Sequence, residues 1–352
     1  MTREIHETHW AVFCRVIDNH GDLGFGWRLS AQLAASGCRV TLYVDVASAL
    51  SWMAPHGCPN VEVMPWPLDE AVSADTLPDV VIEAFGCELP VEWQAAMAAA
   101  PQPPVWVNLE YFSAEDQAVR NHGLPSPVLS GPAKGLTKWF YYPGLGLDSG
   151  GLLTRNPEAN SPPTQSQTGK QRLRISVFCY EPVGMADWLS QLAQHPAGVD
   201  CWVTAGRATH AVQQALHTLP MDTTRGLSVQ YLPYMTQDEY DQCLSSMDLN
   251  LVRGEDSLVR AMHAGKPFLW QIYPQHDGAH WPKLRAFLAR THAPALVTNA
   301  HLAWNHDQPT PLPELDPFAL SEWAQWAGDI RHSLSQQTGL VERLRAFVAA
   351  KG

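Results

Sequence analysis

Two aspartates, Asp18 and Asp22, stand four residues apart in the stretch VIDNHGDLGFGWRLSAQLAASG, residues 16–37, where an apolar run gives way to a glycine-punctuated amphipathic segment. Just past the carboxyl end of a strand is where open α/β sheets bind their ligands. A carboxylate in that place can take a proton from an acceptor. It can equally cap the turn and the helix that follow. The glycines are spaced G-x-x-G-x-G with Asp22 inside them. That departs from the dinucleotide fingerprint, and an acidic side chain there would repel a pyrophosphate. Gly21, Gly24 and Gly26 are expected to supply close approach or positive φ, with a helix running from about Trp27 to a terminating Gly37.

A second chemical stretch is LVRGEDSLVRAMHAGKPFLWQIYP, residues 251–274. A strand ending at Arg253, a turn at Gly254 and a helix opening on Glu255, Asp256 and Ser257 would aim backbone amides at an anion. Arg253 and Ser257 could add donors to a diphosphate, with no metal needed. Glu255 and Asp256 either satisfy the helix start or hold hydroxyls of a sugar or ribose. Phe178, Tyr180 and Tyr231 fall at the ends of strand-like runs, where they either flank a nucleobase or belong to the core.

The elements that must position these residues follow an alternating pattern. WAVFCRVI (10–17), CRVTLYVD (38–45), VEVMPW (61–66), DVVIEAFG (79–86) and VWVNLEY (105–111) read as strands with room between them for crossover helices. The pattern restarts with LRISVFCY (173–180), VDCWVTAG (199–206), LSVQYLPY (227–234), MDLNLVRG (247–254) and KPFLWQIY (266–273). Such alternation predicts parallel sheets covered on both faces. The expected organisation is an N-terminal Rossmann-like domain (1–153), a Gly/Pro/Ser/Gln-rich linker (154–172), a second Rossmann-like domain (173–317) and two C-terminal helices (318–352) that pack across both. Part of the linker is expected to be disordered.

Composition narrows the function. A chain of 352 residues that is 45% hydrophobic can bury a large core, and its net charge of −12 argues against nucleic acid as a partner. Neither a long apolar run nor a signal peptide is visible, so a cytoplasmic protein that does not engage membranes is expected. The seven cysteines are odd in number and show no CxxC pair, which fits buried free thiols. With no D-x-D triplet, a metal-bridged diphosphate is disfavoured. A doubly wound α/β chain with acidic chemistry in its first half and an anion site in its second has the layout of two-Rossmann, GT-B type glycosyltransferases.

FCRVIDNHGDLGFGWRLSAQLA, PGLGLDSGGLL, VFCYEP and LVRGEDSLVRAMHAGKPFLWQIYPQHDGAH, in this order across nearly the whole chain, strongly resemble the bacterial elongation factor P arginine rhamnosyltransferases. The resemblance implies transfer of L-rhamnose from dTDP-β-L-rhamnose to one arginine of translation elongation factor P, with inversion at the anomeric carbon, no cofactor and no metal. It makes Asp22 the general base, Asp18 a neighbouring essential acid and Glu255 the essential acid of the donor-side motif. It places Phe178, Tyr180, Arg253, Asp256 and Ser257 around the dTDP part; Tyr231 joins them on its strand-end position alone. Two other readings stand beside it. One is a GT-B enzyme acting on a small-molecule or lipid-linked acceptor, and the other is a noncatalytic nucleotide-sugar binding module, which has no evident use for Asp22.

Overall fold

The computed structural model describes residues 8–17, 20–67, 72–155, 172–220, 224–275 and 278–352. By contacts the chain divides into residues 1–154 with 337–352, and residues 155–336.

The first unit contains β1 (His9–Cys14), α1 (Gly21–Ala35), β2 (Arg39–Val44), α2 (Leu50–Met53), β3 (Val61–Pro65), β4 (Val80–Ala84), α3 (Val91–Ala99), β5 (Val105–Leu109), α4 (Asp116–Asn121), β6 (Pro125–Pro127) and β7 (Thr137–Tyr141). Among the described residues these strands form one sheet in the order β3-β2-β1-β4-β5-β7-β6, parallel except for the β6–β7 pair. Side chains alternate along β1. Trp10, Val12 and Cys14 join one core layer with α1, while Ala11 and Phe13 join the other with Trp93 and Met97 of α3. Both faces are therefore buried, which is why these strands read as apolar runs rather than as polar and apolar in turn.

The second unit contains β8 (Leu173–Val177), α5 (Met185–Leu192), β9 (Val199–Val203), α6 (Arg207–Thr218), β10 (Leu227–Tyr231), α7 (Gln237–Ser246), β11 (Leu249–Arg253), α8 (Gly254–Ala264), β12 (Phe268–Gln271), α9 (His280–Arg290), α10 (Ala295–Trp304) and α11 (Pro317–Ser335). Its parallel sheet runs β10-β9-β8-β11-β12. Under it, Arg260 of α8 meets Asp241 of α7 through Nη2–Oδ2 at 2.6 Å and Nε–Oδ1 at 3.0 Å, with both side chains buried.

The C-terminal helices part company. α11 belongs to the second unit, whereas α12 (Leu340–Ala349) belongs to the first and contributes Leu340, Val341 and Leu344 to the core layer that holds α1. Leu340 N–H donates to Leu152 O at 2.8 Å, and Arg343 Nη1 donates to Gly146 O and Ser149 O at 2.7 and 2.9 Å. Residues 156–171, most of the expected linker, lie outside the described residues.

Two sequence expectations need correction. α1 begins at Gly21 rather than near Trp27, and Gly21, Gly24 and Gly26 lie inside it with no positive φ. Gly26 is there for closeness: a Cβ would stand 3.4 Å from Cys14 Cβ and 3.6 Å from Leu42 Cδ1. Gly37, at φ +89, does end the helix as a C′ glycine. The strands also stop short of their apolar runs. β1 ends at Cys14, β4 at Ala84, β5 at Leu109 and β8 at Val177, because the residues beyond them leave the ladder and form the loops above the sheet.

Candidate active site

Each sheet has one place where the connections leave in opposite directions, and open α/β proteins bind ligands there. In the first unit it lies between β1 and β4, and in the second between β8 and β11.

At the first of these, Asp22 occupies the opening turn of α1 and is only 3% exposed. Its Oδ2 accepts the Ile17 N–H at 2.8 Å and its Oδ1 accepts the Tyr111 hydroxyl at 2.9 Å. The N-cap itself is His20, whose side chain makes no cap hydrogen bond. Both carboxylate oxygens are thus held by the crest loops of β1 and β5, and the helix dipole favours a negative charge at this end. Asp18 lies outside the described residues.

Beside this carboxylate is an aromatic group. The Tyr111 ring stacks on Phe85 with centroids 3.9 Å apart and an angle of 6°, and Phe25 of α1 meets Phe85 edge-on at 5.2 Å. Phe85 is held at φ +59 and its N–H donates to Leu109 O at 2.7 Å. A left-handed aromatic residue costs about 1–3 kcal/mol and persists only where its surroundings fix it. Glu88, three residues on, is also left-handed at φ +43.

In the second unit the end of β8 and the end of β11 meet over a guanidinium. Arg253, the N-cap of α8, places its Cζ 4.6 Å from the Phe178 ring centroid and 4.7 Å from that of Tyr180, while Nη1 donates to Cys179 O at 3.3 Å. Arg207, the first residue of α6, also lies 4.7 Å from the Tyr180 ring. Its Nε donates to Glu181 Oε1 at 2.8 Å, and this hydrogen bond holds the Glu181 carboxyl below the usual carboxylate range. Tyr180 is buried, and its N–H donates to Gln271 Oε1 at 2.8 Å.

Ser257 serves the chain itself. Its hydroxyl donates to Arg253 O and accepts Arg253 N–H at 3.1 Å, fixing the entry to α8. Glu255 and Asp256 sit half-buried in the first turn of that helix. Tyr231 ends the edge strand β10 and is 41% exposed. It stands two strands from β8, roughly 10 Å at the usual strand spacing, and partial burial raises its hydroxyl pKa. The structure therefore joins Phe178, Tyr180, Arg253 and Ser257 in one cluster and sets Tyr231 at the far edge of the same crest. Sequence reasoning missed Tyr111, Phe85, Arg207 and Gln271. Tyr111 and Phe85 are within reach of the sequence, because Tyr111 is the last and Phe85 the second-to-last residue of a strand-like run.

The family model described as "Elongation-Factor P (EF-P) rhamnosyltransferase EarP" matches residues 10–349. The protein-arginine rhamnosyltransferase of Pseudomonas putida is 40% identical over 336 residues, covering 85% of this chain and 87% of the relative. A solved structure that gives the structural basis for EarP-mediated arginine glycosylation of translation elongation factor EF-P is similar with a TM-score of 0.61 and 25% identity, covering 97% of this chain and 99% of its own. The glycosyltransferase VinC, solved in complex with dTDP, shares the fold at a TM-score of 0.53 and 14% identity, over 98% of this chain and all of that one. The chain folds as a GT-B glycosyltransferase and belongs to the EarP family of EF-P rhamnosyltransferases.

Proposed function

We propose that this protein-arginine rhamnosyltransferase moves L-rhamnose from dTDP-β-L-rhamnose to one arginine of EF-P, with inversion at the anomeric carbon. The observation that carries the reading is the buried Asp22 carboxylate, held through both oxygens where the connections of the first sheet reverse direction, the place at which open α/β sheets take their ligands. An arginine guanidinium is protonated at every physiological pH, so its nitrogen has no free lone pair with which to attack. A carboxylate beside it can align the planar group and accept an N–H proton as the C–N bond forms. The nitrogen pair bonds to the anomeric carbon, the bond from that carbon to the diphosphate oxygen breaks, and the electron pair leaves with dTDP. Attack opposite the leaving group requires one base, and Asp22 is that base.

Arg253 and the first amides of α8 receive the departing diphosphate, a charge stabilisation supplied by the chain's own dipoles and guanidinium. Phe178 and Tyr180 flank the nucleotide base, with Tyr231 further along the crest. Glu255 and Asp256 hold sugar hydroxyls, and Asp18 acts beside Asp22. The net charge of −12 suits a cationic acceptor side chain. No metal or other cofactor is needed on this route.

The test is incubation of the protein with dTDP-β-L-rhamnose and EF-P, read by intact-protein mass. A gain of one deoxyhexose on EF-P, lost when its target arginine is changed to lysine, is the expected outcome. Transfer to a small-molecule or lipid-linked acceptor with EF-P left unmodified would overturn it.

A further inference from the structure

We propose that Tyr111 is a positioning residue for the Asp22 carboxylate during transfer, a role that rests on Asp22 being the general base. Rotation about the last torsion of an aspartate is soft, with a broad two-fold preference. One hydrogen bond fixes one oxygen, whereas donors on both oxygens fix the plane. Ile17 N–H holds Oδ2 from the loop that precedes α1, and the Tyr111 hydroxyl holds Oδ1 from the crest of β5. A carboxylate oxygen can accept more than one hydrogen bond, and a carboxylate with a fixed plane can meet the planar fork of a guanidinium with two parallel hydrogen bonds.

The hydroxyl can do this only if its ring cannot wander. The ring lies flat on Phe85 at 3.9 Å, Phe85 is braced edge-on by Phe25, and the Phe85 backbone is pinned at φ +59 with its N–H on Leu109 O. An otherwise costly backbone conformation is thereby explained, because it sets the shelf against which Tyr111 is aligned. Tyr111 keeps its proton throughout, and the proton lost by the guanidinium goes to Asp22. Geometry alone is supplied, and small losses of alignment at a reacting centre cost large factors in rate.

Tyr111→Phe removes one oxygen and keeps the stacked ring. Steady-state kinetics with EF-P and dTDP-β-L-rhamnose should show kcat reduced by about tenfold or more, with donor KM within about twofold and Tm unchanged. Phe85→Leu, which removes the shelf and leaves the hydroxyl in place, should lower kcat in the same direction. A Tyr111→Phe kcat within about twofold of the parent, with Asp22→Asn inactive, would overturn the positioning role and leave Asp22 as base. A kcat loss accompanied by a matching fall in Tm would also overturn it, by showing a structural role. Parental turnover in Asp22→Asn would remove the base itself and the positioning role with it.

Discussion

If Arg253 meets the donor diphosphate as proposed, replacing it with alanine isolates the part of that binding which the second unit has prepared in advance. In the free protein the guanidinium already rests over Phe178 and Tyr180 and donates to Cys179 O, so ligand capture costs little of the ~2 kcal/mol of rotamer entropy that a mobile arginine would lose. What alanine removes is a hydrogen bond to a charged group, worth about 1.5–3 kcal/mol, which at 1.4 kcal/mol per decade weakens dTDP binding by about 10- to 100-fold. Lysine retains the charge but neither the stacking plane nor the fork, so Arg253→Lys should recover only part of that loss. The assay is calorimetric titration of dTDP with EDTA present throughout. The side chain is half-buried and the surrounding rings remain, so Tm should move by only a few degrees. An unchanged Kd in Arg253→Ala, or parental affinity in Arg253→Lys, would refute the preorganised clamp. Binding abolished by EDTA and restored by Mg²⁺ would refute the metal-free donor site.

Three further outcomes concern the scaffold. Asp241→Ala takes the carboxylate from a fully buried Arg260 and should destabilise the second unit by about 3–5 kcal/mol in a denaturant melt, whereas an exposed pair such as Glu181–Arg207 should cost under about 1 kcal/mol when broken. Gly328, inside α11, has open space where a Cβ would stand, so Gly328→Ala should stabilise by about 1 kcal/mol, seen as a higher Tm. His301 is fully buried, and desolvation lowers its pKa from 6.5 to about 4. Between those values the unfolded chain binds a proton that the folded chain refuses, so stability is intact above pH 6.5 and falls as pH drops toward 4. Melts of His301→Gln across that interval should be flatter than those of the parent, and equal slopes would refute the assignment.

The doubly wound architecture was legible because buried parallel strands advertise themselves as short apolar runs: nine of the ten runs contain their strand whole, from β2 to β5 and from β8 to β12, and the run at 10–17 misses only His9 of β1. Their carboxyl ends were not legible. Phe85, Tyr111, Phe178 and Tyr180 are as apolar or aromatic as the strands they follow, so hydropathy carries no mark where the ladder ends and the site begins. β6 and β7 were missed for a related reason. β6 is three residues long, and most of β7 is only half-buried, so neither presents a clean apolar run. For Asp22 the sequence supplied position but not partners. The tyrosine that binds it lies 89 residues away, and no local pattern connects the two. α1 was begun too late because three glycines are poor helix formers; packing of Gly26 against Cys14 and Leu42 outweighs that preference.

The split ending of the chain sets an order of assembly. Residues 155–336 form an uninterrupted unit, but the unit that carries Asp22 is closed by residues 337–352, with Leu340, Val341 and Leu344 seated in its core. Domains tend to fold as they emerge during synthesis, the N-terminal one first. Here the half made first cannot complete its hydrophobic core until the last turns of α12 have been synthesised, while the half made second can. Asp22 therefore reaches its final surroundings only once α12 is present, and a product interrupted after α11 would carry a complete second unit and an incomplete first one.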